Sequence, residues 1–195
     1  MTVDEIYDAI MTDTREDAYA RQTADPKPYR CKRPAEHLER LLFLCPHCGG
    51  RDTFSSSGDT VTCAACGHTF RYTSYGMLEG ADFETLTAFS DWQKERVRED
   101  VANGTAYTAP DAALFTLEHH TETPVTHGPL SLTGEELRCG DFVLPFDDIS
   151  DLAMFGQKNL VFTAGKTYYQ LTPASGINCL KFLLYYEACR QAAGK

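Results

Sequence analysis

Two cysteine pairs, Cys45-Pro46-His47-Cys48 and Cys63-Ala64-Ala65-Cys66, each followed by a glycine, constrain this chain more than any other feature. Two residues between paired cysteines let both sulfurs reach one ion, and two such pairs complete a tetrahedral four-thiolate site. Gly49 and Gly67 can take a positive φ, which curls each knuckle and turns backbone N–H groups toward the sulfurs. Cys45, Cys48, Cys63 and Cys66 are therefore the predicted metal ligands, and a structural Zn2+ is the expected cofactor. Iron is the other ion that four thiolates suit. His47 and His68 lie beside the ligands. Because four cysteines already fill the tetrahedron, both read as surface residues or as supports of the ligands.

The fourteen residues between the pairs fit the same reading. Residues 51–55 and 60–62 read as short strands, Ser56-Ser57-Gly58-Asp59 has turn chemistry, and 68–72 alternates like a third strand. This is the pattern of a zinc ribbon. A redox Cys-x-x-Cys usually comes singly and near a βαβ pattern, which is absent here.

A ribbon needs only about 30–40 residues, so most of the 195-residue chain must do something else. The formal net charge is −10, whereas nucleic-acid binding needs a basic footprint; nucleic acid is not expected as a partner. One local exception is Lys27, Arg30, Lys32 and Arg33, interleaved with prolines. It reads either as a solvated linker or as a patch facing anionic lipid head groups. The longest apolar runs, 41–45 and 182–186, fall far short of the roughly 20 residues of a membrane span. The N-terminus carries no signal-peptide pattern. Thiolate metal ligands suit a reducing cytoplasm, so a cytoplasmic location is expected, with peripheral contact to the inner face of the membrane if the basic patch engages lipid. Cys31, Cys139, Cys179 and Cys189 read as small apolar fillers or free thiols.

The remaining pattern predicts an α+β chain in three parts. Residues 1–34 hold an N-terminal helix over 3–21, with Thr2 and Glu5 as a capping box, then the proline-rich basic linker. Residues 35–104 hold the ribbon, flanked by a helix over 34–42 and another over 82–103 that Gly104 ends. On the second helix, Trp92 packs in the core and Gln93 lies on the polar face. Residues 110–195 show seven short β-like runs (112–118, 130–132, 136–139, 141–145, 149–155, 160–163 and 167–171) and then a helical period over 175–192. That order of elements fits a pleckstrin-homology-like barrel capped by a C-terminal helix. Its ten acids against six dispersed bases disfavour a phosphoinositide site, since phosphate recognition needs clustered lysine and arginine. His119, His120 and His127 read as part of a polar connection around Pro124 and Pro129.

Specific stretches carry a resemblance: Asp17-Ala18-Tyr19-Ala20-Arg21-Gln22, Pro28-Tyr29-Arg30-Cys31-Lys32-Arg33-Pro34-Ala35-Glu36, Leu38-Glu39-Arg40-Leu41-Leu42-Phe43-Leu44-Cys45-Pro46, Arg71-Tyr72-Thr73-Ser74-Tyr75-Gly76-Met77-Leu78-Glu79-Gly80 and Asp91-Trp92-Gln93. Together these resemble the C-terminal extension of bacterial lysophospholipid acyltransferases of the 1-acyl-glycerol-3-phosphate acyltransferase type. The resemblance implies a non-catalytic module of phospholipid biosynthesis, with a structural or docking role. Its implied partner is an acyltransferase catalytic domain, expected to precede residue 1. The family's catalytic His-x4-Asp occurs here only as His47 and Asp52, across the first knuckle, and is read as coincidence. The competing expectation is a stand-alone zinc-ribbon adaptor for a protein partner.

Overall fold

A computed structural model describes residues 2–14, 17–119 and 121–194. Helices α1 (Val3–Thr14) and α2 (Ala18–Ala24) replace the single expected helix. The Thr2–Glu5 capping box opens α1, with Glu5 Oε2 accepting from Thr2 N–H at 2.7 Å and Thr2 Oγ1 accepting from Glu5 N–H at 3.2 Å. A second helix begins because the Asp17 carboxylate accepts the N–H groups of Tyr19 and Ala20, as an N-cap does.

Residues 34–42 do not form the expected helix. His37 sits at φ 72°, and only Leu38–Arg40 makes a single 3-10 turn. Leu38 and Leu42 are buried while Leu41 is half exposed. Helical geometry is broken at His37, and Ala35 N–H bonds to Gly58 O of the ribbon at 2.9 Å; past the turn, the N–H groups of Phe43 and Leu44 bond to the Gln93 side chain.

The ribbon is a four-stranded antiparallel sheet in the order β1 (Phe54–Ser57), β2 (Thr60–Cys63), β3 (Thr69–Tyr72) and β4 (Leu78–Glu79). Ser57 pairs with Thr60, so the turn is Gly58-Asp59 alone, and Ser56 and Ser57 extend the strand. The fourth strand carries no alternation of its own and had not been expected. Helix α3 (Leu86–Ala102) is capped by Thr85, whose Oγ1 accepts from Ala88 N–H at 3.1 Å, and ends at Gly104. It starts later than residue 82 because Glu84 O is held by Leu78 N–H at 2.8 Å.

All seven expected strands of the second unit form: β5 (Tyr107–Glu118), β6 (Thr121–Leu132), β7 (Glu136–Cys139), β8 (Phe142–Pro145), β9 (Ser150–Phe155), β10 (Asn159–Ala164) and β11 (Thr167–Pro173). They make one sheet in the order β8-β7-β6-β5-β11-β10-β9, two meanders joined where β5 meets β11. The sheet curls into a half-barrel, since β8 and β9 do not pair. Helix α4 (Leu180–Ala192) buries Phe182, Tyr185, Tyr186 and Cys189 against it. The helix begins at Leu180, not 175, because the preceding segment is tied to β5 by Ala174 N–H to Asp111 O, 2.9 Å.

The longest departure is the β5–β6 hairpin. Pro124, His127 and Pro129 lie in strand β6, not in a loop, and His120 falls outside the described residues. Register shifts between Ala109 and Ala112 and between Leu114 and Phe115 absorb the prolines, which cannot donate to a ladder. Strand β6 also touches the β7–β8 turn closely: a Cβ on Gly128 would lie 2.9 Å from Gly140 Cα, and one on Gly140 2.7 Å from His127 O.

Two hydrophobic cores result. The ribbon core gathers Leu38, Leu42, Phe54, Val61, Phe70 and Phe89, and the larger half-barrel core draws in Phe43, Leu44 and Val97 from the ribbon side. Trp92 packs against both, as expected of a residue between helix and ribbon.

Candidate metal centre

The two knuckles fold alike. Gly49 N–H bonds to Cys45 O at 2.9 Å and Gly67 N–H to Cys63 O at 2.8 Å, and the glycines sit at φ 69° and 74°. Each turn brings its second cysteine back beside the first. Cys45, Cys48, Cys63 and Cys66 offer sulfurs that all lie within 4.8 Å of one another. Across the knuckles, Cys45 Sγ to Cys66 Sγ is 3.8 Å and Cys48 Sγ to Cys63 Sγ is 3.7 Å. A tetrahedron with metal–sulfur bonds of about 2.3 Å has edges of about 3.8 Å, whereas a disulfide would bring sulfurs to about 2.05 Å. The four residues therefore fit a single metal ion.

Backbone N–H groups of His47 and Cys48 point at Cys45, those of Ala65 and Cys66 at Cys63, and that of His68 at Cys66. The Thr53 hydroxyl lies 3.2 Å from Cys63 Sγ. Burial raises the Cys63 thiol, but Thr53 and the two N–H groups outweigh it and bring it down to about 6. Burial pushes the Cys45 thiol up to about 12. The protein alone stabilises the Cys63 thiolate, whereas a thiolate at Cys45 needs a cation beside it.

The residues just past the first knuckle fasten the ribbon to the half-barrel. Asp52 sits at φ 55°, and its carboxylate accepts from Asn178 N–H at 3.1 Å and ion-pairs with Lys181 of α4. Lys181 is 3% exposed and also donates to Thr108 O at 2.9 Å. Asn178 Nδ2 donates to Glu39 O at 2.8 Å. Beside this pair, Arg51 bonds to Asp100 at 2.6 Å and stacks over Tyr107, whose hydroxyl donates to the same carboxylate at 2.8 Å. Burial, with Asp100 adding to it, holds the Tyr107 hydroxyl well above its ordinary range.

Neither a protein-family model nor a curated protein matches this chain.

The His47–Asp52 pair is not assembled. The His47 ring stacks on His68 with centroids 4.0 Å apart, while Asp52 is engaged by α4. The basic residues Lys27, Arg30, Lys32 and Arg33 are all exposed; Lys27 pairs with Asp25 at 2.6 Å and Arg33 with Glu36 at 3.1 Å. Their linker lies on the ribbon through Tyr29 N–H to Ser74 O, 2.6 Å. Among the described residues no helix is long and apolar enough to cross a membrane. Cys139, Cys179 and Cys189 are buried, as fillers should be, and Cys31 is exposed.

Sequence reasoning missed two residues. Gln93, assigned to the polar face, is fully buried, accepts from Phe43 and Leu44 N–H and donates to Leu41 O at 3.1 Å. Lys181 interrupts an otherwise apolar stretch of α4. A lone lysine among apolar helix residues was the available signal that a buried carboxylate waits for it.

Proposed function

We propose that this chain is a non-catalytic module in which a structural zinc sets a ribbon that positions a pleckstrin-homology-like half-barrel for docking. The observation that carries this reading is the Asp52 latch. The segment leaving the first knuckle ends in a carboxylate held by α4, so the metal-fixed turn acts mechanically on the second unit. A closed four-thiolate shell leaves no open coordination position for catalysis, which suits a structural ion, and zinc is its commonest occupant.

The docking partner we propose is an acyltransferase catalytic domain of the lysophospholipid-acylating type, in keeping with the resemblance of residues 17–80. The apolar stripe of α1 supports a docking role: Val3, Tyr7 and Ile10 are 82%, 61% and 55% exposed. Arg30 and Lys32 make no ion pair among the described residues and would face lipid head groups beside that partner. The test has two arms. Elemental analysis should find zinc in the chain, with one equivalent lost in Cys45→Ser. Binding to an isolated acyltransferase catalytic domain should be lost when Val3, Tyr7 and Ile10 are replaced by serine. Intact zinc with no such binding would leave the structural role and remove the acyltransferase partner in favour of another protein.

A further inference from the structure

His47, His68 and Asp82 come from three separate segments: the first knuckle, the residue after Gly67, and the segment before α3. One ring nitrogen of each histidine and one Asp82 carboxylate oxygen lie within 4.8 Å of one another. The two imidazoles stack at 4.0 Å with 19° between planes, and Phe70 lies against His68 with its ring centroid 6.0 Å away. Asp82 is held in position by its neighbours, since Phe83 packs on Phe89 and Trp92 and Glu84 O accepts from Leu78 N–H at 2.8 Å. Hydrogen bonding does not explain the arrangement. His68 Nε2 is buried without a partner, and the side chains of His47 and Asp82 make no hydrogen bond or ion pair among the described residues. Two imidazoles and a carboxylate within reach of one another, with a buried ring nitrogen unsatisfied, are what a cation would complete.

We propose that His47, His68 and Asp82 form a second metal site, distinct from the four cysteines and specific for a borderline divalent ion such as zinc. Four-cysteine sites are closed, whereas three protein ligands leave a position for water or for an anionic group of a partner. His47 and Asp82 are exposed, so that position faces solvent. His68 contributes to both sites by different atoms, its backbone N–H facing Cys66 and its ring facing Asp82. The inference stands whichever ion the cysteines hold.

Co2+ titrated into the intact chain tests this, with binding followed by equilibrium dialysis and absorbance. The result expected is two equivalents. The first shows near-ultraviolet thiolate-to-cobalt charge transfer; the second lacks it. Asp82→Asn, an exposed near-isosteric change, should weaken only the second equivalent by at least about tenfold, as even outer supports of metal ligands do when removed. His68→Ala should abolish it while the thiolate band persists. One equivalent in the unsubstituted chain, or a second equivalent that either variant leaves unchanged, overturns the proposal.

Discussion

The ribbon and the half-barrel are similar antiparallel sheets held by different means. In the half-barrel, α4 and both meanders bury Leu114, Leu130, Ile149, Phe162, Leu171, Phe182 and Tyr185 almost completely, and fully burying such a side chain contributes about 1.5–3 kcal/mol. The ribbon core has fewer large side chains, and Cys45 and Cys63 occupy fully buried positions within it. A unit this small needs a staple. The comparison teaches that a metal held by the four cysteines would staple the ribbon and not the half-barrel. The half-barrel core contains none of the four clustered cysteines, and the Asp52–Lys181 latch and Trp92 tie one unit to the other.

Matched substitutions should break this symmetry most. Cys45→Ser removes a ligand from a site whose metal binding contributes about 10–16 kcal/mol of folding free energy in small zinc domains; it should abolish the ribbon's cooperative melting. Cys139→Ser makes the same chemical change in the half-barrel core, where Sγ lies 3.5 Å from Ala112 O. It should cost about 1–3 kcal/mol and leave metal content unchanged. Calorimetry with elemental analysis reads both.

The next effect lies at the seam. Lys181→Met leaves Asp52 without its cation, and breaking a buried pair costs about 3–5 kcal/mol. The midpoint of urea unfolding should fall accordingly. The double variant Asp52→Asn/Lys181→Met should recover part of the loss, because no unpaired charge remains. Gln93→Leu should cost about 1–3 kcal/mol by orphaning the buried N–H groups of Phe43 and Leu44, with the ribbon destabilised more than the half-barrel.

In alkali the half-barrel should lose stability through its buried thiols and phenols. Burial pushes Cys179 up to about 11 and Tyr185 up to about 12, against unfolded values of about 8.5 and 10. A raised folded pKa means the folded state holds its proton more tightly. The contribution is therefore full below the unfolded value and is lost as pH rises toward the folded one. Thermal stability should decline from about pH 8.5 upward, and Cys179→Ala with Tyr185→Phe should flatten that decline.

Much of this was legible in the chain. The cysteine spacing located the four sulfurs that come together, because two-residue knuckles leave little freedom. The seven strands and the final helix were legible because turn residues punctuate the runs and the period then changes from two to helical. What failed did so for physical reasons. The 34–42 segment carries helical leucine spacing, but His37 takes a left-handed φ, Ala35 N–H is claimed by Gly58 O, and the N–H groups of Phe43 and Leu44 just beyond are claimed by Gln93, fifty and forty-nine residues away. The ends of β5 and β6 were hidden by prolines that bulges accommodate. The Asp52 latch and the His47–His68–Asp82 cluster depend on contacts between distant segments, which no local pattern encodes. The family suggested by residues 17–80 remains a proposal about a partner, tested by binding.

Hydrogen exchange on the chelated protein tests the central claim most directly. Amides of β1, β2 and β3 should lose protection on metal removal, while those of β5, β10, β11 and α4 keep it. Ribbon amides that stay protected without metal, or a half-barrel that loses protection together with the ribbon, would contradict the account.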